Sequence, residues 1–339
     1  MAAGAISFIA ALVLVPAIAR VCARWGLYDS PGPLKIHSRP IPRLGGVAIL
    51  LALAAGILGA GHSPGMHAWP FWIALTLIWT AGFVDDISGL SAILRMDVQI
   101  SAGVLLWYGG WRLPFAGNET FGAIAVCLFT ILLSNAFNFL DGSDGLCAGV
   151  AGIIALAYVA LPGAALGPLG LAVAWSLLGA ASAFLFSNFP PATIFMGDSG
   201  STVLGFGVAF LALDFYRANT TRLTTPLIFF PILLASLPLL DAALAILRRL
   251  RGRGSILHGD RRHFYDLLLA AGWPPRKVAL ATYALTAGMC LIAWLGLQRE
   301  FAHAFLFYLL SVGALLFGAL RLGSLRSKDS SSRAEGARG

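Results

Sequence analysis

"FGAIAVCLFTILLSNAFNFLDGSDGL", residues 121–146, decides how this chain is to be read. Residues 121–133 carry no charge, and the run then meets Asn135, Asn138, Asp141 and Asp144, each three residues from the next. Residues three apart on a helix are neighbours, so Asn135, Asn138 and Asp141 share a side near the helix end. Capping a helix takes one side-chain oxygen, which accounts for Asn135 alone as well as any function does. It does not account for four polar side chains, which are costly at membrane depth unless they meet a partner or a water-filled cavity. Gly142 and Gly145 let the backbone turn and a ligand come close. A hydrophobic span thus ends in a candidate site.

The rest of the chain is built of similar spans. Of 339 residues, 58% are hydrophobic and 11% charged, whereas soluble domains carry about 25% charged residues. Mean hydropathy is +0.83. The expected fold is all-α: a polytopic membrane protein of about 10–11 transmembrane helices, with an active site in cytoplasmic loops. Apolar runs fall at about 4–20, 44–61, 68–84, 97–109, 121–137, 146–162, 168–187, 200–214, 226–247, 279–297 and 303–320. The fourth and eighth are the shortest. The first lacks the basic start of a signal peptide and reads as a retained helix. Residues 1–321 form the transmembrane domain and 322–339 a disordered cytoplasmic tail, polar and rich in small residues. Cys22, Cys127, Cys147 and Cys290 lie scattered in apolar stretches and read as small core residues. The net charge of +8 fits basic cytoplasmic loops rather than a nucleic-acid partner.

If eleven spans alternate, 19 of the 23 lysines and arginines fall on one side. The positive-inside rule makes that side cytoplasmic, with the N-terminus outside and the C-terminus inside. Asp85, Asp86, Asp141, Asp144, Asp198, Asp260, Lys35, His37, Arg43, His258 and His263 all fall there. Asp214, at the outer end of the eighth span, is expected to be a bland carboxylate.

Four more stretches on that side carry chemistry. In "AGFVDDISGL", Asp85 and Asp86 are adjacent carboxylates that repel each other; they suit a divalent cation or a cationic substrate group better than a helix cap. In "SNFPPATIFMGDSGS", Gly197 and Gly200 bracket Asp198 at the start of a span, where backbone N–H groups suit an anion and Asp198 a metal bridging to it. "KIHSRPIPRLGG" brings Lys35, His37, Arg39 and Arg43, which suit phosphates or an ordinary positive-inside loop. "GDRRHFYDLLLAAGW" brings Arg261, Arg262 and His263 before an amphipathic segment, which suits phosphates or a helix lying on anionic lipid. Carboxylates for a cation, bases for phosphates and glycine turns at one membrane face suggest a reaction joining a phosphorylated cytosolic compound to a lipid.

These loops, in this order, resemble the signature loops of the polyprenyl-phosphate N-acetylhexosamine-1-phosphate transferases. "LKIHSRPIPRLGGVAI" resembles the family's first loop, RKxHxxPxPRxGGxAI, with Leu34 where Arg is frequent. "FVDDISGLSAILRMDVQ" resembles its Asp-Asp loop, with Arg95 and Gln99 at the basic and glutamine positions. "NAFNFLDGSDGL" matches NxxNxxDGxDGL and "NFPPATIFMGDSGS" matches NxxPAxxFMGDxGS. "PLLDAALAILRR" resembles the ninth span, so Asp241 belongs to that pattern. "GDRRH" resembles the ADRxH start of the last loop in the GlcNAc-1-phosphate branch, but Tyr265 and Asp266 replace two later histidines.

The resemblance implies attack of a lipid monophosphate on the β-phosphorus of a UDP-N-acetylhexosamine, most simply UDP-GlcNAc, with release of UMP. It implies Mg2+, or Mn2+ in its place, and the catalytic residues Asp85, Asp86, Asp198 and His263. Asp198, Asp85 and Asp86 are the implied metal ligands, with Asp85 or Asp86 as an optional base. Asn138, Asp141 and Asn188 would hold the diphosphate or nucleotide, Asp144 the uridine, and Phe195 would stack on uracil. Lys35, His37 and Arg261 would contact phosphates or sugar. The partners are UDP-N-acetylhexosamine, undecaprenyl phosphate and the bilayer, in the inner (plasma) membrane; a homodimer is compatible with the sequence but not specified by it. A coupled transporter or an intramembrane prenyltransferase would also need intramembrane acids, but the first expects midplane sites in repeated halves and the second a DxxxD motif, and neither is in the sequence.

Overall fold

The computed structural model describes residues 1–30, 39–62, 68–113, 118–163, 165–222, 224–251 and 263–298, with Leu306, Leu309 and Gly313 as isolated positions. The eleventh span, the tail, Lys35, His37, His258, Asp260, Arg261 and Arg262 lie outside the described residues.

Helices occupy each of the first ten expected spans: α1 Ala2–Trp25, α2 Gly45–Gly59, α3 Trp69–Ser88, α4 Ala92–Tyr108, α5 Glu119–Leu140, α6 Leu146–Val159, α7 Pro168–Asn188, α8 Gly197–Ala218, the pair α9 Thr225–Leu234 and α10 Ser236–Arg251, and α12 Pro275–Gln298. A short α11, Phe264–Ala270, coincides with the amphipathic stretch before α12. Two-residue strands, β1 Tyr28–Asp29 and β2 Ile41–Pro42, pair antiparallel before α2. This is an all-α polytopic membrane protein. By length and composition six of the described helices can cross a bilayer, or seven if α9 and α10 form one bent span. Helices α2 and α6, at 15 and 14 residues, rise only about 21–23 Å, less than the ~30 Å hydrocarbon core.

Two elements depart from the sequence reading. The ninth span is not straight: α9 and α10 meet at 71°. Pro238 has no N–H to give the carbonyl of Leu234, so the ladder loses a hydrogen bond at the bend. The eighth span is longer than expected, 22 residues, and its apolar window is wholly enclosed. Ser199, Ser201, Thr202 and Asp214 lower its hydropathy yet lie buried inside the bundle.

Helix α8 is the axis on which α2, α3, α5, α6 and α7 pack. Small residues make that possible, since helices in membranes approach closely where side chains are short. A Cβ on Gly82 of α3 would lie 2.6 Å from the Ser199 backbone, and one on Gly46 of α2 would run into Ser199 and Gly200. Lower on α8, Phe206, Phe210, Phe215 and Tyr216 are fully buried. Phe210 meets Phe71 at 4.4 Å and Trp111 at 5.1 Å between ring centroids. The aromatic half fixes the axis, and the small-residue half brings α2 and α3 onto its first turn.

Candidate active site

The loops singled out from sequence converge at one end of the bundle. The end of α3, the end of α5, the α7–α8 connection and the start of α2 meet around the first turn of α8. The N–H groups of Gly45 and Gly46 donate to Phe195 O and Met196 O at 2.9 and 2.8 Å, and Phe195 N–H donates to Pro42 O at 2.8 Å.

Asp86 is 7% exposed and faces the first turn of α8. Its Oδ1 accepts from Asp198 N–H at 2.8 Å, and its Oδ2 from Ser199 N–H at 3.1 Å and the Ser199 hydroxyl at 2.6 Å. The anion that suits this helix start is thus supplied by the protein's own carboxylate. Asp86 does cap a helix, but it is the neighbouring helix α8 and not its own. Gly197 precedes this turn at φ +69°, and a Cβ there would collide with the Asp86 carboxylate.

Asp85 has other partners. Its Oδ1 accepts from Leu90 N–H, and its Oδ2 accepts from Arg95 Nη1 at 2.7 Å. The same Nη1 donates to Asp198 Oδ2 at 2.8 Å. One guanidinium nitrogen from α4 thus bridges two of the three carboxylates expected to hold a metal. Arg95 matched the family pattern in sequence, but nothing there showed that it joins Asp85 to a residue 103 positions away.

The quoted stretch divides its work. Asn135 turns to α4, where its Nδ2 donates to buried Gln99 at 2.7 Å. Asn138 Nδ2 donates to Ser201 Oγ at 3.1 Å, linking α5 to α8. Asp141 ends α5. Burial pushes its carboxyl well above the usual carboxylate range, and the negative charges of Asp198, Asp86 and Asp144 push the same way. Asp144 Oδ2 accepts from Ala192 N–H at 2.9 Å, just after the cis Pro190–Pro191 bond. Asn188, 2% exposed, accepts from Gly145 N–H at 3.0 Å and donates to Ile194 O at 2.9 Å. Its amide latches the Gly145 turn to the loop before α8.

Asp141, Asp144, Asn188, Phe195 and Gly197 line an open cavity of about 1020 Å³, with Asp29, Arg39, Arg43 and Arg276 among the other walls. Arg276 comes from the first turn of α12, and its Nε donates to Pro190 O at 2.8 Å. Asp29 and Arg276 were not foreseen; a basic residue directly after Pro274 and Pro275 is the only sequence signal for the latter.

His263 is not among the cavity's lining residues. It is 5% exposed, with Nδ1 2.6 Å from Asp241 Oδ2 and its ring 5.2 Å from that of Phe139. Asp241 is therefore the partner of a residue 22 positions on; the sequence had marked it as part of the ninth-span pattern and not as a partner of His263. Among the described residues no three His, Cys, Asp or Glu side chains converge into a ready-made metal cage. At the other end of the bundle Asp214 is 4% exposed and accepts from Trp111 Nε1–H at 2.9 Å and Gly167 N–H at 2.7 Å. The expectation of a bland carboxylate there is wrong: the side chain is a buried staple.

Fold and site together define a polytopic membrane protein with an acid-rich, arginine-flanked site at one end of its helix bundle. Residues 68–216 match the family description "Glycosyl transferase family 4". The chain is 31% identical over 291 residues to a probable undecaprenyl-phosphate N-acetylglucosaminyl 1-phosphate transferase of Bacillus subtilis, covering 83% of this chain and 80% of that one. It is 31% identical over 297 residues to a decaprenyl-phosphate N-acetylglucosaminephosphotransferase of Mycolicibacterium smegmatis (77% and 73% covered). It is 26% identical over 307 residues to an undecaprenyl-phosphate alpha-N-acetylglucosaminyl 1-phosphate transferase of Escherichia coli (84% and 79% covered). The chain belongs to glycosyl transferase family 4.

Proposed function

We propose that this protein transfers N-acetylhexosamine-1-phosphate, in the first instance GlcNAc-1-phosphate, from a UDP-sugar to undecaprenyl or another polyprenyl phosphate. An oxygen of the lipid phosphate attacks the donor's β-phosphorus. The bond from that phosphorus to the bridging oxygen breaks, and UMP leaves with the bridging oxygen. The product is a lipid diphosphate-linked sugar, made as the first membrane step of an envelope polysaccharide. The names of the relatives above support the substrates. The 19 basic residues gathered on one side support an active site facing the cytoplasm from the inner membrane.

The observation that carries the reading is a large cavity with acids and arginines in its walls, lined also by Gly197, the residue before Asp198 of the Asp85–Arg95–Asp198 bridge. Its volume is that of a pocket for a nucleotide-sized ligand. Arg43 and Arg276 supply charge for the donor's diphosphate. Phe195 offers a ring face to the uracil, and Asp141 and Asp144 accept from the nucleoside. Asn188 and Asn138 hold the turns that carry these groups. His263, with Lys35, His37 and Arg261, serves the phosphates or the sugar.

The donor set fits Mg2+, with Mn2+ as substitute. Asp85 and Asp198 offer hard oxygens, and Asp141 lies among carboxylates whose mutual repulsion burdens it. A bound cation would neutralise charge on the two reacting phosphates and on the developing UMP. Asp198 and Asp85 would hold it, with Asp86 anchoring the turn that carries Asp198. A phosphate monoester has a second pKa of about 6, so the lipid phosphate is largely dianionic at neutral pH and no strong base is needed. The test is purified protein in nanodiscs given undecaprenyl phosphate and a panel of UDP-sugars, with UMP and lipid product measured. UMP release matched one-to-one by lipid diphosphate-linked sugar is expected, fastest with UDP-GlcNAc. No UMP from any UDP-sugar would refute the reading.

A further inference from the structure

We propose that Asp241 is a positioning residue of this reaction, fixing which nitrogen of His263 carries the hydrogen. This rests on the transferase reading above. Asp241 lies in α10 and is 3% exposed, a setting in which an ionised carboxylate persists only with partners. It has two from one segment. His263 Nδ1 lies 2.6 Å from Oδ2, and Phe264 N–H donates to Oδ1 at 3.0 Å. An ionised carboxylate can only accept, so the hydrogen between Asp241 and His263 belongs to Nδ1. The transferase reading then assigns Nε2 as the nitrogen that serves the phosphates or the sugar.

The ring's orientation is fixed as well. It stacks on Tyr265 with centroids 5.6 Å apart and planes 6° from parallel, and Phe139 lies 5.2 Å away. His263 N–H donates to Asp266 Oδ2 at 3.2 Å. The Tyr265 hydroxyl donates to Phe139 O at 2.9 Å, two residues before cavity-lining Asp141. The imidazole is therefore coupled by stacking and hydrogen bonding to the turn that carries the acids.

A carboxylate that only caps α11 would need the Phe264 contact and no particular tautomer. The tautomer therefore separates the two roles. The full chain in nanodiscs, labelled with 15N-histidine, identifies the His263 resonance by its loss in His263→Gln. Protonated Nδ1 in the wild type is expected, with that preference lost in Asp241→Asn. A wild-type ring protonated on Nε2 with bare Nδ1 would overturn the proposal, and this readout stands even if a variant does not fold. In UMP release, Asp241→Asn should lower kcat about tenfold or more, the scale seen when a working histidine loses its orienting partner, with KM changed less. Asp241→Glu should recover part of the loss. The double variant Asp241→Asn/His263→Gln should be no slower than His263→Gln alone, whereas losses that multiply would show that Asp241 acts independently of the histidine. If the wild type releases no UMP at all, the transferase reading fails, and the 15N spectrum still decides the role of Asp241.

Discussion

Replacing Asp86 by asparagine separates a structural anchor from a chemical one. Three hydrogen bonds end on this buried carboxylate, two from the first backbone N–H groups of α8 and one from the Ser199 hydroxyl. Asparagine has the same shape but one acceptor oxygen. With Oδ1 left on Asp198 N–H, the new amide nitrogen would face Ser199 N–H, donor against donor. A buried N–H left without an acceptor costs about 1–3 kcal/mol. Loss of a charge from a partly buried helix N-terminus adds up to about 2 kcal/mol. The Ser199 hydroxyl can rotate to accept and loses little. Asp86→Asn should therefore destabilise the protein by about 1–5 kcal/mol, on the same two principles. Equilibrium unfolding in mixed micelles, followed by tryptophan fluorescence, measures this directly. UMP release well below the transition should fall because the Asp198 turn is no longer held. An Asp86→Asn protein as stable as the wild type would refute the capping argument, and abolished turnover in that stable protein would make Asp86 a group of the chemistry itself.

Three other perturbations follow from particular contacts. Asp214→Asn should cost about 1–3 kcal/mol in the same unfolding experiment, because Trp111 Nε1–H or Gly167 N–H loses its acceptor. Arg95→Gln removes the cation bridging Asp85 and Asp198; the Mg2+ concentration for half-maximal UMP release should fall, because the metal no longer competes with a guanidinium, while the maximal rate falls as well. A reporter fused after Ala337 should be active only in its cytosolic form, and activity on the other face would mean that a span had been miscounted.

How much of this was legible in the sequence depended on the range of the interaction. Apolar runs of about 17–22 residues marked most helices, because in a bilayer each span must satisfy its own backbone. Gly142, Gly145, Pro190, Pro191 and Gly197 marked the turns that carry the acids. Partnerships across the fold had no such signal. Asp85 and Asp86 look equivalent in sequence, yet one faces Arg95 and the other α8, because adjacent residues on a helix point about 100° apart. Asp241 of α10 and His263 before α11 meet across 22 positions of sequence. Asp214 looked like a surface acid because its partners, Trp111 and Gly167, lie on other connections. The length of α8 was hidden for the same reason: its polar residues find their partners on neighbouring helices.

The central claim is that Asp198, at the first turn of the enclosed helix α8, would hold a divalent cation that neutralises charge on the reacting phosphates. Asp198→Asn tests it most directly, by UMP release from UDP-GlcNAc and undecaprenyl phosphate over a range of Mg2+ concentrations. Asparagine keeps the shape, and the Asp198 N–H bond to Asp86 comes from the backbone and is unaffected. The rate should fall roughly a hundred- to a thousandfold, the scale of one lost electrostatic contact to a transition state. Its Mg2+ dependence should shift to higher concentration while the unfolding free energy stays close to that of the wild type. Near-normal turnover with unchanged Mg2+ dependence would contradict the claim.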